Sequence, residues 1–289
     1  MIDDYVEINR YTLLPIKKQL IKHIDKLEYT HKNVVVYCEI VHYDESRKYA
    51  KAINRLPHYI NKTIDFLHSK SSIHQNKLNI LIALNNVKKE FPKTDKLEKE
   101  HVNNGVTTFY PNGNRSIYIY RIQDVYKVLI HEMIHYFDYD FNRAGPLLVK
   151  FKPFNIIETT SSGQINYNES YVETLAVYLY AMFTDQSIQY YKNRGIRVAK
   201  ALINHVKAYP TVYQNTNAYS YYIVRAALMI HIDKVLKIKN KQDLVNVIEI
   251  SMKSLVNEIK KEAYEPLKTM QVVTKSTRNT NRNTTASTT

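Results

Sequence analysis

The alternation of apolar and polar positions predicts strands and helices together in the first part of the chain. Runs rich in Val, Ile and Leu indicate buried strands at Asn33–Val41 and Leu78–Leu84. Over Leu14–Leu27 the apolar residues recur every three or four positions, which predicts an amphipathic helix. A second helix is expected over Asp44–His68, interrupted at Pro57 because proline cannot donate the helix hydrogen bond.

A hairpin and a buried helix are predicted next. Val106–Tyr110 and Ser116–Arg121 flank the turn sequence Pro-Asn-Gly-Asn, so we expect two antiparallel strands there. Gln123–Phe137 is predicted to be a helix, with Asp124 as its N-cap residue. Its apolar residues occur almost all round the helix, and a helix of that kind is buried.

The second half of the chain is predicted to be helical after an irregular stretch at 142–166. Four helices are expected, over Asn168–Phe183, Ser187–Tyr209, Ala218–Leu236 and Gln242–Glu262. Residues 276–289 are nearly all Ser, Thr, Asn and Arg, which predicts a disordered tail. The expected fold class is α+β. An N-terminal lobe (1–141) contains a small mixed sheet and ends in the buried helix, and an all-helical lobe follows (142–275).

The charge is strongly basic, at 41 Lys and Arg against 27 Asp and Glu, a formal net charge of +14. Such a charge favours weak association with polyanions. The basic residues are spread along the predicted helices, without a compact block interleaved with aromatics. A solvated basic surface is therefore the preferred interpretation over a dedicated nucleic-acid site.

The expected compartment is intracellular. Cys38 is the one cysteine, so an intramolecular disulfide is impossible. The N-terminus lacks the features of a secretion signal, and no run approaches the ~18 apolar residues of a membrane span. We therefore expect a protein that is neither secreted by a signal peptide nor inserted in a membrane.

The strongest chemical motif lies on the predicted buried helix, at His131-Glu132-Met133-Ile134-His135. Residues four apart lie on one face of a helix, so His131 and His135 can point at one metal ion. Glu132 can reach water held by that ion and act as a general base without being a ligand. Zinc lowers the pKa of such a water toward ~7, which suits hydrolysis.

A third ligand is expected from the helix that follows. A hydrolytic zinc site needs three protein ligands and one open position. Glu169 and Glu173 are four residues apart on Asn168–Phe183 and share a face. Asp138, just past the end of the histidine helix, is expected to orient one histidine by a hydrogen bond rather than to bind the metal.

The two helices resemble those of the gluzincins, zinc peptidases in which a second helix donates a glutamate to the H-E-x-x-H site. Glu173-Thr-Leu-Ala176 is similar to their E-x-x-A form, with Glu173 as the ligand. Asn168-Glu169 followed by Glu173 is similar to the N-E-x-x-x-D/E form, with Glu169 as the ligand. We expect Glu173 to be the ligand and keep Glu169 as the alternative.

The resemblance implies a zincin-like fold and a zinc-dependent peptidase. It implies that the strand before the helix, Ser116–Arg121, is an edge strand that pairs with an extended peptide substrate. It also implies a side chain that stabilises the oxyanion, for which Tyr221 and Tyr222 are the candidates. The composition is similar to that of zincin-like proteins encoded by large DNA viruses, which would place the protein in the host cytoplasm or the virion.

A second hypothesis is a basic structural protein, associated with nucleic acid or a virion, that has a non-catalytic zincin-like fold. A structural zinc site needs four protein ligands and no general base. The motif instead offers three ligands and Glu132, which favours the peptidase.

Overall fold

The computed structural model describes residues 23–42, 53–70, 74–84, 89–141, 157–158, 166–209, 213–214 and 216–261. Its strands are β1 (His23–His31), β2 (Val34–His42), β3 (Lys77–Leu84), β4 (Lys96–Leu97), β5 (Gly105–Phe109), β6 (Arg115–Ile119), β7 (Ile157–Glu158) and β8 (Tyr213–Gln214). Its α-helices are α1 (Leu56–Lys70), α2 (Lys99–Val102), α3 (Val125–Tyr136), α4 (Tyr167–Phe183), α5 (Ile188–Lys207), α6 (Arg225–Ile230), α7 (Ile232–Val235) and α8 (Lys241–Lys261). A π-helical segment, Tyr219–Val224, leads directly into α6.

The larger sheet is mixed and has five strands in the order β1-β2-β3-β6-β5. Strands β2, β3 and β6 are parallel, whereas β1 and β5 run antiparallel to their neighbours at the two edges. Helices make up most of the described chain beyond α3. The fold class is therefore α+β, as the sequence predicts.

Strand β1 corrects one prediction. The helix expected over Leu14–Leu27 is wrong for residues 23–27, which begin β1, while residues 14–22 lie outside the described part. From Leu27 onward the half-buried positions alternate with exposed ones, and Leu27 and Tyr29 pack on the core under the sheet. The segment forms a strand, with a side-chain period of two, rather than the predicted helix. The reason is that every residue of β1 has an antiparallel partner in β2.

The helix predicted to be interrupted at Pro57 is α1, and it begins at Leu56. Pro57 therefore lies in the first turn, where its missing N–H would have no helical partner in any case. The described residues do not include 43–52, on which the first part of that predicted helix falls.

The hairpin is confirmed, but the predicted edge strand is not at the edge. Strand β6, which covers most of Ser116–Arg121, pairs with β3 on one side and with β5 on the other. The edge strand is therefore β5, on the first arm of the hairpin. Sequence pattern alone predicts that the two arms pair, but it does not predict which arm also pairs with β3.

The C-terminal half is helical but not all-helical. The two-residue strands β4, β8 and β7 form a second, parallel sheet. The helix predicted over Ala218–Leu236 is divided into the π-helical segment, α6 and α7. The division into lobes at residues 141 and 142 stays a prediction, and the predicted tail at 276–289 lies outside the described residues.

Helix α3 lies between two hydrophobic cores. One face packs Val128, Leu129 and Met133 against the large sheet and α1, and the other packs Ile130 and Ile134 against the C-terminal helices. The apolar residues all round this helix are thus explained by two partners rather than one. Within the described residues, no helix combines the length and apolar character needed to cross a membrane.

This packing predicts that α3 stabilises both cores. Leu129→Ala, facing the sheet, and Ile130→Ala, facing the helices, should each lower the free energy of unfolding by about 2–5 kcal/mol, because both side chains are fully buried. Urea unfolding followed by circular dichroism measures the change. Ile250→Ala, at a position 44% exposed on α8, is the control and should cost at most about 0.5 kcal/mol. A small loss at either buried position would contradict the two-core arrangement.

Candidate metal centre

Three potential ligand atoms converge at the middle of α3. The Nε2 atoms of His131 and His135 are 3.2 Å apart, and Glu169 Oε2 from α4 lies 3.3 Å from the first and 3.4 Å from the second. The four-residue spacing brings the two rings to one face, as the motif predicts. Within the described residues, His131, His135 and Glu169 are the group of histidine and acidic side chains that could hold a metal ion.

Carboxylates on the far side of each ring fix the orientation of the histidines. His131 Nδ1 lies 3.0 Å from Glu173 Oε2, and His135 Nδ1 lies 2.5 Å from Asp140 Oδ2. Each Nδ1–H can donate to its carboxylate, which leaves the Nε2 lone pair of each neutral ring directed at the common point. Two lone pairs and a carboxylate oxygen that face each other at this distance repel one another unless a proton or a metal cation lies between them.

The electrostatics of the group favour positive charge at this point. Burial opposes an imidazolium, but hydrogen bonds with Glu169 and Glu173 outweigh it and raise the pKa of His131. Burial likewise opposes a charge on His135, yet Glu169 and Asp140 raise the pKa of that ring well above its usual value. The two histidines in turn hold the pKa of the buried Glu169 well below its usual range. The group therefore attracts a cation.

The geometry fits a zinc ion. Two ligands at roughly 2.0–2.1 Å from one tetrahedral zinc lie about 3.3–3.4 Å apart. The three sides of the observed triangle, at 3.2, 3.3 and 3.4 Å, match that separation closely. Two imidazole nitrogens with one carboxylate oxygen also form a donor set that zinc accepts in hydrolytic sites.

Glu169, rather than Glu173, lies with the histidine Nε2 atoms. Asn166 caps α4 by accepting a hydrogen bond from the Glu169 backbone N–H. Glu173, one turn on, is turned toward the outer side of His131, and both its oxygens accept hydrogen bonds from Lys127 Nζ at 2.7 and 2.9 Å. The structure thus brings Glu169, and not the expected Glu173, to the two Nε2 atoms, because Glu173 pairs with the buried cation of Lys127, which its position on α4 alone does not predict.

Asp140, not Asp138, orients a histidine. Helix α3 ends in a Schellman motif, with Tyr139 N–H bonded to Ile134 O and Asp138 in the left-handed region at φ 55°. This reversal sends Asp138 outward, where its Oδ2 lies 2.7 Å from Arg115 Nη1. It returns Asp140 toward His135, and Asn168 Nδ2 donates to the same Asp140 oxygen. The expectation for Asp138 is therefore wrong.

Glu132 lies beside the metal group, on the face of α3 that meets β5. Thr107 Oγ1 donates to Glu132 Oε2 at 2.8 Å. A Cβ on Gly105 would lie 3.2 Å from Glu132 Oε1 and 2.8 Å from Val128 Cγ1, so only glycine lets the edge strand approach the helix this closely. The carboxylate of Glu132 is thus held in place by β5.

The two candidate tyrosines have different surroundings. Tyr221 donates its hydroxyl hydrogen bond to Glu169 Oε2 at 3.0 Å, and its ring lies 5.7 Å from that of His131. Burial and the neighbouring Glu169 raise the pKa of Tyr221 well above its usual value, so its hydroxyl remains a donor. The Tyr222 hydroxyl instead donates to the backbone carbonyl of His101 at 3.3 Å. Of the two, the structure brings Tyr221 to the metal group.

A cavity of about 410 Å³ opens over these residues. The lining comes from Lys89, from β5 and the residues just before it, from α3 and α4, and from the π-helical segment and the residues just before it. The lining residues are Lys89, Val102, Asn103, Asn104, Gly105, Val106, Thr107, Phe109, Lys127, Val128, His131, Glu132, His135, Glu169, Glu173, Thr216, Asn217, Tyr221 and Tyr222. Four residues of the site were not predicted from the sequence: Thr107, Lys89, Lys127 and Asp140. Of these, Lys127 was accessible from spacing, because it lies one helical turn before His131.

The geometry predicts that the two glutamates of α4 contribute unequally to metal binding. Glu169→Gln should weaken zinc affinity by more than about 100-fold, because a ligand is lost, and Glu173→Gln by about 10–100-fold, because only the orientation of His131 is affected. Competition with a zinc chelator measures both affinities, with circular dichroism to verify folding. A larger loss in Glu173→Gln than in Glu169→Gln would identify Glu173 as the ligand after all.

Comparison with known proteins identifies no family for this chain. No protein-family model and no curated sequence matches the chain. Among solved structures, a similar one is the aminopeptidase N family protein from Idiomarina loihiensis, at a TM-score of 0.41 and 12% identity. The alignment covers 84% of this chain and 45% of that one, so the chain spans less than half the length of that protein. Function therefore has to be inferred from the side chains of the site itself.

Proposed function

We propose that the protein is a zinc-dependent peptidase of the gluzincin type. The observation that supports it is the triangle of His131, His135 and Glu169 with Glu132 next to it, at the wall of an open cavity. Asn168-Glu169 followed by Glu173 corresponds to the N-E-x-x-x-D/E form, in which the second acid orients the first histidine. Three ligands with an adjacent carboxylate favour a catalytic over a structural site.

Glu132 acts as the general base. When bound, a zinc ion supplies Lewis acidity, which lowers the pKa of water toward ~7 and polarises a carbonyl oxygen. Glu132 takes the proton of the attacking water and passes it to the amine that leaves. Thr107 and the close approach of Gly105 hold the carboxylate in one position, so it needs no reorganisation before the transfer.

Tyr221 stabilises the oxyanion that develops on the scissile carbonyl. Its hydroxyl lies 3.0 Å from Glu169 Oε2, at the metal group, and stays protonated because burial and Glu169 raise its pKa. Rotation about the C–O bond redirects its one hydrogen from Glu169 to the oxyanion. A preorganised neutral donor in a buried site stabilises a developing negative charge strongly. Tyr222, whose hydroxyl contacts a backbone carbonyl, has a structural role.

The substrate binds along β5 in an extended conformation. β5 is the edge strand of the sheet, and Val106, Thr107 and Phe109 of this strand line the cavity beside Glu132. An edge strand offers backbone donors and acceptors to a peptide, which joins the sheet as a further strand. Phe109 is 53% exposed and adds an apolar contact surface at the end of this strand.

Loss of the Glu132 carboxylate tests the proposed mechanism. Glu132→Gln should retain bound zinc but lower kcat for peptide hydrolysis by about 10²–10⁴-fold, because the amide cannot accept the proton. Glu258→Gln, on the far surface of α8, is the matched control and should behave as wild type. Hydrolysis by Glu132→Gln at the wild-type rate would contradict the role of Glu132.

The two adjacent tyrosines provide an internal comparison. Tyr221→Phe should lower kcat of the zinc-saturated protein by about 10²–10³-fold, because it removes a donor to the oxyanion. It should also weaken zinc affinity by about 10-fold, because the hydrogen bond to Glu169 Oε2 is lost. Tyr222→Phe removes a hydrogen bond to a backbone carbonyl and should cost much less. Steady-state kinetics of both variants on one peptide measures the two losses of kcat. Equal losses would contradict the assignment of Tyr221.

A further inference from the structure

The cavity follows β5 on both sides of the proposed general base. Thr107, in the middle of the strand, donates to the Glu132 carboxylate, and Gly105 approaches the same group. The lining continues past these contacts to Phe109 in one direction and to Asn103 in the other. Strand residues advance about 3.3 Å each, so the wall reaches roughly 7 Å beyond Thr107. The cavity thus has room for substrate residues on either side of Glu132.

The two ends of the cavity correspond to the two ends of α3. Asn104, which directly precedes β5, donates to the backbone carbonyl of Gln123, just before this helix. At the other end the Phe109 ring lies 5.0 Å from the guanidinium of Arg115, which pairs with Asp138 just past the helix. Strand β5 therefore runs alongside α3, and the metal group has cavity wall on both sides of it.

The acidic side chains of the cavity all have another partner. Among the described lining residues they are Glu132, Glu169 and Glu173. Glu169 lies at the two histidine Nε2 atoms, and Glu132 accepts the hydrogen bond of Thr107. Both oxygens of Glu173 accept hydrogen bonds from Lys127. A buried ammonium group needs a carboxylate partner, so the described part of the cavity has no acid reserved for the amino terminus of a substrate.

The two ends of the cavity suit a peptide that continues past them. At one end Phe109 is 53% exposed, so a chain that passes it continues into solvent. At the other end Thr216 Oγ1 donates to Asn103 Oδ1 at 3.0 Å, and the next residue, Asn217, also lines the cavity. Neutral hydroxyl and amide groups pair with backbone N–H and C=O groups, which occur all along a peptide.

We infer that the protein is an endopeptidase, which cleaves internal bonds of extended peptides with two or more residues on each side. The inference rests on the proposed peptidase function and names the substrate class of the same site. In the reaction the hydroxyl of water adds to the scissile carbonyl carbon, the C–N bond breaks, and Glu132 passes the other proton to the leaving nitrogen. Two peptides are released, and neither terminus of the substrate is needed for binding.

A dependence on substrate length follows from this geometry. A peptide that pairs with β5 on both sides of the cleaved bond gains backbone hydrogen bonds that a dipeptide lacks. Binding energy from such remote contacts aligns the reacting bond, so it raises kcat as well as affinity. Extended peptides should therefore be much better substrates than dipeptides.

Peptides with blocked termini test the inference. An eight-residue peptide with free termini is compared with its N-acetyl, C-amide and doubly capped forms on zinc-loaded wild type. We expect kcat/KM of the four to agree within about 5-fold, the effect of a solvent-screened charge. Mass spectrometry should find cleavage with two or more residues on each side. A doubly capped dipeptide of the two residues that flank this bond should be cleaved at least about 10²-fold more slowly.

Variants of β5 connect the length dependence with the cavity. Phe109→Ala should lower kcat/KM of the eight-residue peptide about 3–10-fold, because an aromatic contact surface is lost. Of two peptides shortened to one residue on either side of the cleaved bond, one should be insensitive to this substitution. Thr108→Val is the matched control, because the Thr108 side chain is not among the described lining residues, and it should behave as wild type.

Calorimetric binding of the same peptides to Glu132→Gln gives a readout without turnover. The dissociation constants of the four eight-residue peptides should agree within about 5-fold, because no terminal charge enters the cavity. The doubly capped dipeptide should bind at least about 10-fold more weakly, because it lacks the backbone contacts along β5.

The outcomes separate the inference from the proposed function. A loss of about 10²-fold or more on N-acetylation, with residues released one at a time from the amino terminus, would identify an aminopeptidase and overturn the inference. An equal loss on C-terminal amidation would assign a terminal carboxylate to Lys89 or Lys127, the basic side chains of the described lining, and would also overturn it. Binding that is independent of the caps, without hydrolysis of any peptide, would support the open cavity and contradict the peptidase.

Discussion

The structure depends on the burial of α3, which carries the chemistry of the site and is covered on both faces. All but one of its residues, Tyr126, are buried, among them Lys127, His131, Glu132 and His135. Unpartnered polar groups in such a position would cost several kcal/mol each, so every one of them needs a partner from another element. The arrangement of the neighbouring elements follows from that need.

Each side of the molecule supplies some of these partners. Helix α4 brings Glu169 to the two Nε2 atoms and Glu173 to Lys127, and β5 brings Thr107 to Glu132. The chain just after α3 turns back through a Schellman motif and brings Asp140 to His135. The two cores that meet at α3 therefore hold the proposed ligands and the proposed general base in fixed positions relative to each other.

Much of the fold and of the site could be predicted from the sequence, because these parts depend on local sequence patterns. The strands β2 and β3, the hairpin, α3 and the long C-terminal helices follow from periodicity, and His131, Glu132 and His135 follow from helical spacing. Local patterns could not predict which of Glu169 and Glu173 lies at the two histidine rings. It depends on Lys127, which lies 46 positions from Glu173 in the chain and competes for its carboxylate.

The other differences also arise from contacts between distant segments. Asp138 and Asp140 are both near the end of α3, and only the left-handed turn at Asp138 decides which reaches a histidine. Strand β6 becomes an inner strand because β3 pairs with it, a contact that no turn signal encodes. Lys89 lines the cavity. No motif in the sequence around it predicts this position.

X-ray absorption at the zinc edge, on protein loaded with one equivalent of zinc, tests the central claim most directly. We expect two imidazole nitrogens and oxygen ligands at roughly 2.0–2.2 Å, with no sulfur in the shell. The His131→Ala/His135→Ala variant should bind no zinc under the same conditions. Zinc that stays in solution with the wild-type protein, or a shell with fewer than two imidazoles, would contradict the assignment of this site as a metal centre.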